Sequence, residues 1–316
     1  MIAATSRLLA ATTLLAPLAA QTADADAPHV VFVVGEGEYQ SHLTMPVLAE
    51  RVADAYGWRT TVLLDEELHS GDDNHVEGLE ALESADLLVL YLRFRRWPQS
   101  DLDALQRYVD RGGPIAAFRT STHAFAYDED DDRAGYNDFG AEVLGAPWIF
   151  HYGHGASTRA VATEPEREDP LLAGVEPEFE VRSWTYHVRP DHPPADARVR
   201  VRGEPLLPVD EDEERGPEAV NPIVWTRTHA GGGRVFMTTM GHPEDFRVAS
   251  FRRLVGNGMH WALGFEPAGV TMPDFPAIEH PDDAGRPDAP WERMDYGPFL
   301  STALAVGRDL PPVHKG

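Results

Sequence analysis

The first half of the chain alternates short apolar runs with segments of helical spacing, and that alternation restricts the fold more than any other feature. Residues 29–34 (HVVFVV) form an unbroken apolar run, the pattern of a strand covered on both faces. Leu43 to Tyr56 has helical spacing, with Val47, Leu48, Val52 and Tyr56 on one face and Gly57 at its end. Thr60–Leu64 reads as a second strand, Val76–Ser84 as a short helix and Asp86–Leu92 as a third, buried strand. Gln99–Arg111 reads as a helix started by Pro98 and closed by Gly112 and Gly113, and Pro114–Phe118 as a fourth strand. A β-α-β-α order implies a parallel sheet with right-handed crossovers. Ligands of such sheets sit outside the carboxyl ends of the strands.

The second half is less regular. Tyr136–Leu144 reads as a helix ended by Gly145, and Phe246–Leu263 as a closing helix. Short strands are expected near 157–163, 178–182, 198–201, 223–228 and 235–239, as an antiparallel extension of the sheet. From Gly264 onward proline is dense and periodicity disappears. Residues 1–25 have the basic start, short apolar run and small residues of an export signal, too short to span a membrane. The expected organisation is a signal at 1–25, one domain at 26–264 and a proline-rich extension at 265–316.

The chain has 52 acidic against 27 basic residues, a formal charge of −25, which repels nucleic acid and anionic membrane surfaces. The runs Asp128–Asp132 and Asp210–Glu214 fit solvated loops and lack the spacing of a calcium loop. No cysteine is present, so neither a disulfide nor thiolate catalysis is available.

Candidate chemistry gathers in the loops that this topology sends to one rim. His42, His123, His151, His154, His187 and His242 all fall there. His123, His154 and His242 are candidate ligands of zinc or a similar divalent ion with a water position left open. Alternatively, they are hydrogen-bonding groups of a sugar pocket. Trp148, Tyr152, Trp184, Tyr186 and Trp225 either stack on sugar rings or fill the core. Glu36 and Glu38 follow the first strand, and one of them with Glu244 or Asp245 forms a candidate acid/base pair. Glu38, Tyr39 and His42 are placed to position a ligand. Arg119, at a strand end, is suited to hold a carboxylate, to stabilise an enolate-like charge or to pair with Glu36. The loop 35–39 (GEGEY) lacks the third glycine of a dinucleotide site and puts carboxylates where a pyrophosphate would lie, so no nicotinamide or flavin is expected.

In order and spacing, the segments 35–42, 118–125, 151–155, 184–187, 222–227 and 241–246 resemble the ThuA-like, or trehalose-utilisation, family. That family's fold is similar to class I glutamine amidotransferases. The resemblance spans residues 29–263 and implies a flavodoxin-like three-layer α/β sandwich with a mostly parallel central sheet. By the same resemblance Thr120 takes the nucleophile position at the elbow, with Ser121 beside it and His123 on the next turn. His242 becomes the base and Glu244 the group that orients it. Glu38, His42, Arg119, Tyr152, Trp184, Tyr186 and His187 become the substrate-binding set. The implied ligand is a sugar or keto-sugar, processed by hydrolytic or proton-transfer chemistry. A non-catalytic carbohydrate-binding module and a cysteine-less amidase-like hydrolase using Thr120 stand beside that reading.

Overall fold

The computed structural model describes residues 26–65, 68, 74–151, 157–163, 168–188, 193–206, 220–267 and 269–278. Its centre is a nine-stranded sheet. The strands are β1 (His29–Gly35), β2 (Arg59–Leu64), β3 (Leu87–Leu92), β4 (Ile115–Phe118), β6 (Thr158–Ala162), β7 (Glu178–Val181), β9 (Arg198–Pro205), β10 (Asn221–Thr228) and β11 (Arg234–Thr238). Two further strands, β5 (Phe150–His151) and β8 (Tyr186–His187), form a separate ribbon. The sheet order is β2-β1-β3-β4-β11-β10-β9-β6-β7.

The apolar runs explain the layering. Along β1, Val30, Phe32 and Val34 enter one core cluster, while Val31 and Val33 enter the other. Strand β3 divides the same way, with Leu87, Val89 and Tyr91 on one face and Leu88, Leu90 and Leu92 on the other. Alternation on a strand buried on both faces demands apolar residues throughout, which is what the sequence supplies. Helices α1 (Ser41–Tyr56) and α3 (Ala249–Leu263) cover the first face, and α2 (Gln99–Asp110) covers the second. Each fully buried Val, Leu or Phe contributes about 1.5–3 kcal/mol. Gly57, at φ 71°, ends α1 with its N–H on the Ala53 carbonyl.

Three details depart from the sequence pattern. β11 is not part of the antiparallel extension: it runs parallel to β4, with Phe236 opposite Ala116, and the antiparallel strands begin at β10. The helix expected at 136–144 is a 3₁₀ turn (Ala134–Asp138) followed by a π turn (Gly140–Leu144). Gly140 lies against the Thr122 backbone, where an added Cβ would sit 2.0 Å from the carbonyl oxygen. The closing helix is also split, because Val248 is extended at φ −80°, ψ 118° between the 3₁₀ turn Pro243–Arg247 and α3.

The start of the extension packs as a strap. Arg252 donates to the Met272 carbonyl, and Phe275 stacks on Phe246 at 5.1 Å. Met272 and Phe275 are buried. Of the acidic runs, Asp128–Asp132 is largely exposed. The run 210–214, the expected signal at 1–25 and residues 279–316 of the extension lie outside the described residues.

Candidate functional site

The chain leaves β1 toward β2 on one side and returns to β3 on the other, so the sheet switches direction between β1 and β3. The loops after β1, β3 and β4 open at that point. Among the described residues the non-glycine positive-φ positions are Gln40 (55°), Phe94 (53°) and Arg119 (40°), one in each of these loops. Backbone strain held by its surroundings is a mark of functional loops.

The elbow after β4 presents Arg119, not Thr120, as its left-handed residue. Resemblance puts the nucleophile position at Thr120, one residue after the left-handed Arg119. The Thr120 hydroxyl is buried and has no hydrogen-bond partner, so no base is bonded to it. The Ser121 hydroxyl donates to the Leu90 carbonyl (3.1 Å) and accepts from the Leu92 N–H (3.2 Å), which clips the elbow to β3. The Thr122 hydroxyl lies 3.1 Å from His123 Nδ1.

Arg119 is fully buried. Its Nη1 donates to the carbonyls of Trp184 (3.1 Å) and Thr239 (2.9 Å), and its Nη2 donates to the Tyr39 hydroxyl (2.9 Å). Its Cζ lies 4.1 Å from the Tyr39 ring centroid and 4.6 Å from that of Tyr186. Nε has no partner.

Two carboxyl groups come from the loop after β1. Glu36 is fully buried; its Oε1 accepts from the Tyr39 N–H at 2.7 Å, and its Oε2 has no partner. Burial first, then the charge of Glu38, raises its pKa to about 7, while the Tyr39 N–H, Arg93 and Ser41 oppose the shift. Glu38 forms a nearly buried ion pair with Arg93 at 2.7 Å. Arg93 escaped the sequence reading, although a cation directly after the apolar run of β3 lies at the carboxyl rim by position alone.

His242 caps the turn Pro243–Arg247, and its Nδ1 accepts from the Glu244 N–H at 3.2 Å. Nδ1 is therefore an acceptor there, which assigns the proton of the neutral ring to Nε2. The orienting group expected for this histidine is the Glu244 carboxylate, but that carboxylate pairs with Arg247 at 2.8 Å. The neighbouring Asp245 organises the loop instead. Its buried carboxylate accepts from the N–H groups of Arg182, Ser183, Gly241 and His242 and from the Ser183 hydroxyl. Burial pushes Asp245 upward in pKa, against those donors. Ser183 has no signal in the sequence.

Aromatic rings and histidines wall the centre. Tyr39 meets Trp184 and His242 edge-on, each at 6.2 Å between centroids. The β5–β8 ribbon adds His151, 4.9 Å from Trp184, and His187, stacked on Phe150 at 4.5 Å. His123 packs among Phe94, Trp148 and Tyr186, and burial, then Arg93, Arg119 and His151, lowers its pKa well below the ordinary value. His42 is half-buried in the first turn of α1. Trp225 is not at the rim: it is a core residue whose Nε1 donates to the Leu144 carbonyl at 2.7 Å. Tyr152 and His154 lie outside the described residues. Among the described residues no group of three or more His, Asp or Glu side chains is arranged to hold a metal, and no helix is long and apolar enough to cross a membrane. A groove of about 650 Å³ between the turn Leu79–Ser84 and α2 shares no residue with this centre.

A family model described as trehalose utilisation, ThuA, matches residues 29–262. A solved structure of a ThuA-like protein from Parabacteroides merdae is 13% identical, with a TM-score of 0.53, covering 79% of this chain and 98% of that one. A ThuA-like protein from Bacteroides uniformis is 14% identical, with a TM-score of 0.54, covering 77% and 97%. At these identities the likeness shows the fold. No curated protein matches the chain.

Proposed function

Since the chain belongs to the ThuA, or trehalose-utilisation, family, we propose that its buried rim centre binds a sugar or keto-sugar and moves a proton beside a carbonyl. The supporting observation is Glu36, a carboxyl with one oxygen unpartnered and a pKa near neutrality. A proton carrier works best when its pKa lies near the working pH. In the ionised form Glu36 takes a proton from carbon, and the C–H electron pair moves into a C=C bond. The carbonyl oxygen gains the negative charge, which the Arg119 guanidinium offsets. With a hydroxyl on the deprotonated carbon, return of the proton to the former carbonyl carbon, as that hydroxyl's proton passes to the other oxygen, gives the isomeric carbonyl; departure of a β-substituent with its bonding electrons gives an elimination product. Tyr39 ties the two groups together: its N–H holds Glu36 and its hydroxyl and ring hold Arg119. Trp184 and Tyr186 wall the centre beside the guanidinium.

Incubation of the protein with aldoses, ketoses and keto-glycosides in D₂O tests this reading. NMR is expected to show deuterium entering a C–H position beside a carbonyl with wild type and not with Glu36→Gln. Equal exchange by both proteins contradicts it.

A second reading, a non-catalytic sugar-binding module, is favoured by the elbow hydroxyls. Thr120 has no base bonded to it, and Ser121 is engaged with β3. Sugar binding lost in Tyr39→Ala, with no turnover of any substrate, supports the module. A divalent metal held by His123, His154 and His242 is the further reading that the histidine-rich sequence offers. Zinc content by elemental analysis, higher in wild type than in His154→Ala, supports it, and equal content removes it.

A further inference from the structure

The rim centre holds a buried cation that no carboxylate touches directly. A buried cation is ordinarily paired, because taking it out of water costs several kcal/mol. Arg119 is fully buried, yet among the described residues no carboxylate lies within ion-pair distance of it. Every neighbouring acid is engaged elsewhere: Glu38 pairs with Arg93, and Asp245 accepts four backbone N–H groups and the Ser183 hydroxyl. Around neutral pH the raised pKa of Glu36 keeps that carboxyl partly protonated. The rings that sandwich the guanidinium are neutral, since burial pushes the hydroxyl pKa of both Tyr39 and Tyr186 upward. Tyrosine faces and carbonyl dipoles soften the isolation of the cation without cancelling its charge.

A guanidinium has five N–H bonds, and three here have acceptors. Both hydrogens of Nη1 are taken and one of Nη2. Among the described residues the buried Nε–H has no acceptor and Nη2 has one, which leaves its second hydrogen over. A fork of guanidinium donors matches an oxyanion. The excess of acidic residues over the whole chain, 52 against 27 basic, makes a positive, unpaired, buried group more distinctive still.

Resting on the reading of this centre as a sugar site, we propose that its ligand is anionic: a sugar bearing an oxyanion, carboxylate or phosphate, that pairs with Arg119. An oxyanion formed only during turnover would leave the guanidinium uncompensated in the bound ground state. A sugar acid or sugar phosphate compensates it on binding.

Thermal shift and calorimetry with four probes at equal concentration test this: D-glucuronate, D-glucuronamide, D-glucose 6-phosphate and D-glucose. The expected result is a Tm rise with glucuronate or with the phosphate, and binding about tenfold or more weaker for glucuronamide and glucose. Which of the two anions is preferred identifies the oxyanion. Arg119→Gln, folded by circular dichroism, is expected to lose the rise; if it does not fold, the comparisons of glucuronate with glucuronamide and of glucose 6-phosphate with glucose on wild type decide. Equal binding of neutral and anionic sugars, no Tm rise with either anion, or a rise that survives in folded Arg119→Gln overturns the proposal. Glu36→Gln separates it from the proton-transfer reading. Anion binding that persists there while deuterium exchange stops supports both. Exchange of a neutral keto-sugar without any anion binding sinks this inference and leaves proton transfer standing.

Discussion

Arg119 Nη2 lies 2.9 Å from the Tyr39 hydroxyl, and its Cζ lies 4.1 Å from the centroid of the same ring. One tyrosine therefore holds the left-handed elbow residue of β4 from the loop after β1, across the switch point of the sheet. The same tyrosine's N–H holds Glu36. The proposed proton carrier and the Arg119 cation thus share a single support.

Glu36 makes stability depend on pH. Its folded pKa of about 7 stands above the 4.5 of an ordinary glutamate. Below both values the group is protonated in both states, so its contribution is fully present. Between them the unfolded chain gives up the proton more readily, and stability falls as pH rises through the folded value. The full loss is about 3 kcal/mol. Urea unfolding at pH 5 and pH 8 is expected to show that fall in wild type and a smaller one in Glu36→Gln.

The elbow hydroxyls are expected to respond in opposite ways. Thr120→Val removes an unpartnered buried hydroxyl and should raise stability by about 1 kcal/mol. Ser121→Ala removes the acceptor of the Leu92 N–H and a donor to the Leu90 carbonyl and should cost about 1–3 kcal/mol. Denaturant midpoints check both. A large loss in Thr120→Val would place a partner on that hydroxyl.

Asp245→Asn turns an amide NH₂ toward a site built from N–H donors. It should cost about 3 kcal/mol and release the loop that presents His242. Hydrogen exchange of the Gly241 and His242 amides, faster in the variant than in wild type, is the expected result.

The strap supports the same loop from behind. Phe275 stacks on Phe246, which packs on Phe118 at 5.9 Å. Phe275→Ala should cost about 3 kcal/mol, measured by thermal or urea unfolding. Stability unchanged from wild type would show that the strap does not pack as described.

How much of this was legible in the sequence depends on the range of the forces involved. The layering of β1 and β3 follows from burial on both faces, which leaves a continuous apolar run at Val30–Val34 and Leu87–Leu92. Strand direction has no such local mark: β11 is parallel because its partner is β4, more than a hundred residues earlier. The pattern at 136–144 is helical, but the approach of Gly140 to Thr122 sets its geometry from outside the segment. At the elbow, spacing brings the right segment to the rim, while the choice between Arg119 and Thr120 rests on one backbone angle. The histidine loop is similar. His242 and Glu244 suit a triad on paper, yet a tight 3₁₀ turn directs Glu244 to Arg247 and Asp245 inward.

The central claim is that Glu36 holds a proton near neutral pH, and titration of its side chain tests it most directly. With ¹³C-labelled glutamate, the Glu36 carboxyl resonance is assigned by its absence in Glu36→Gln and followed by NMR against pH. The account predicts a midpoint of about 7 in wild type and a lower one in Glu38→Gln, where the neighbouring negative charge is gone. A midpoint near the ordinary 4.5, unchanged by the Glu38 substitution, would contradict it.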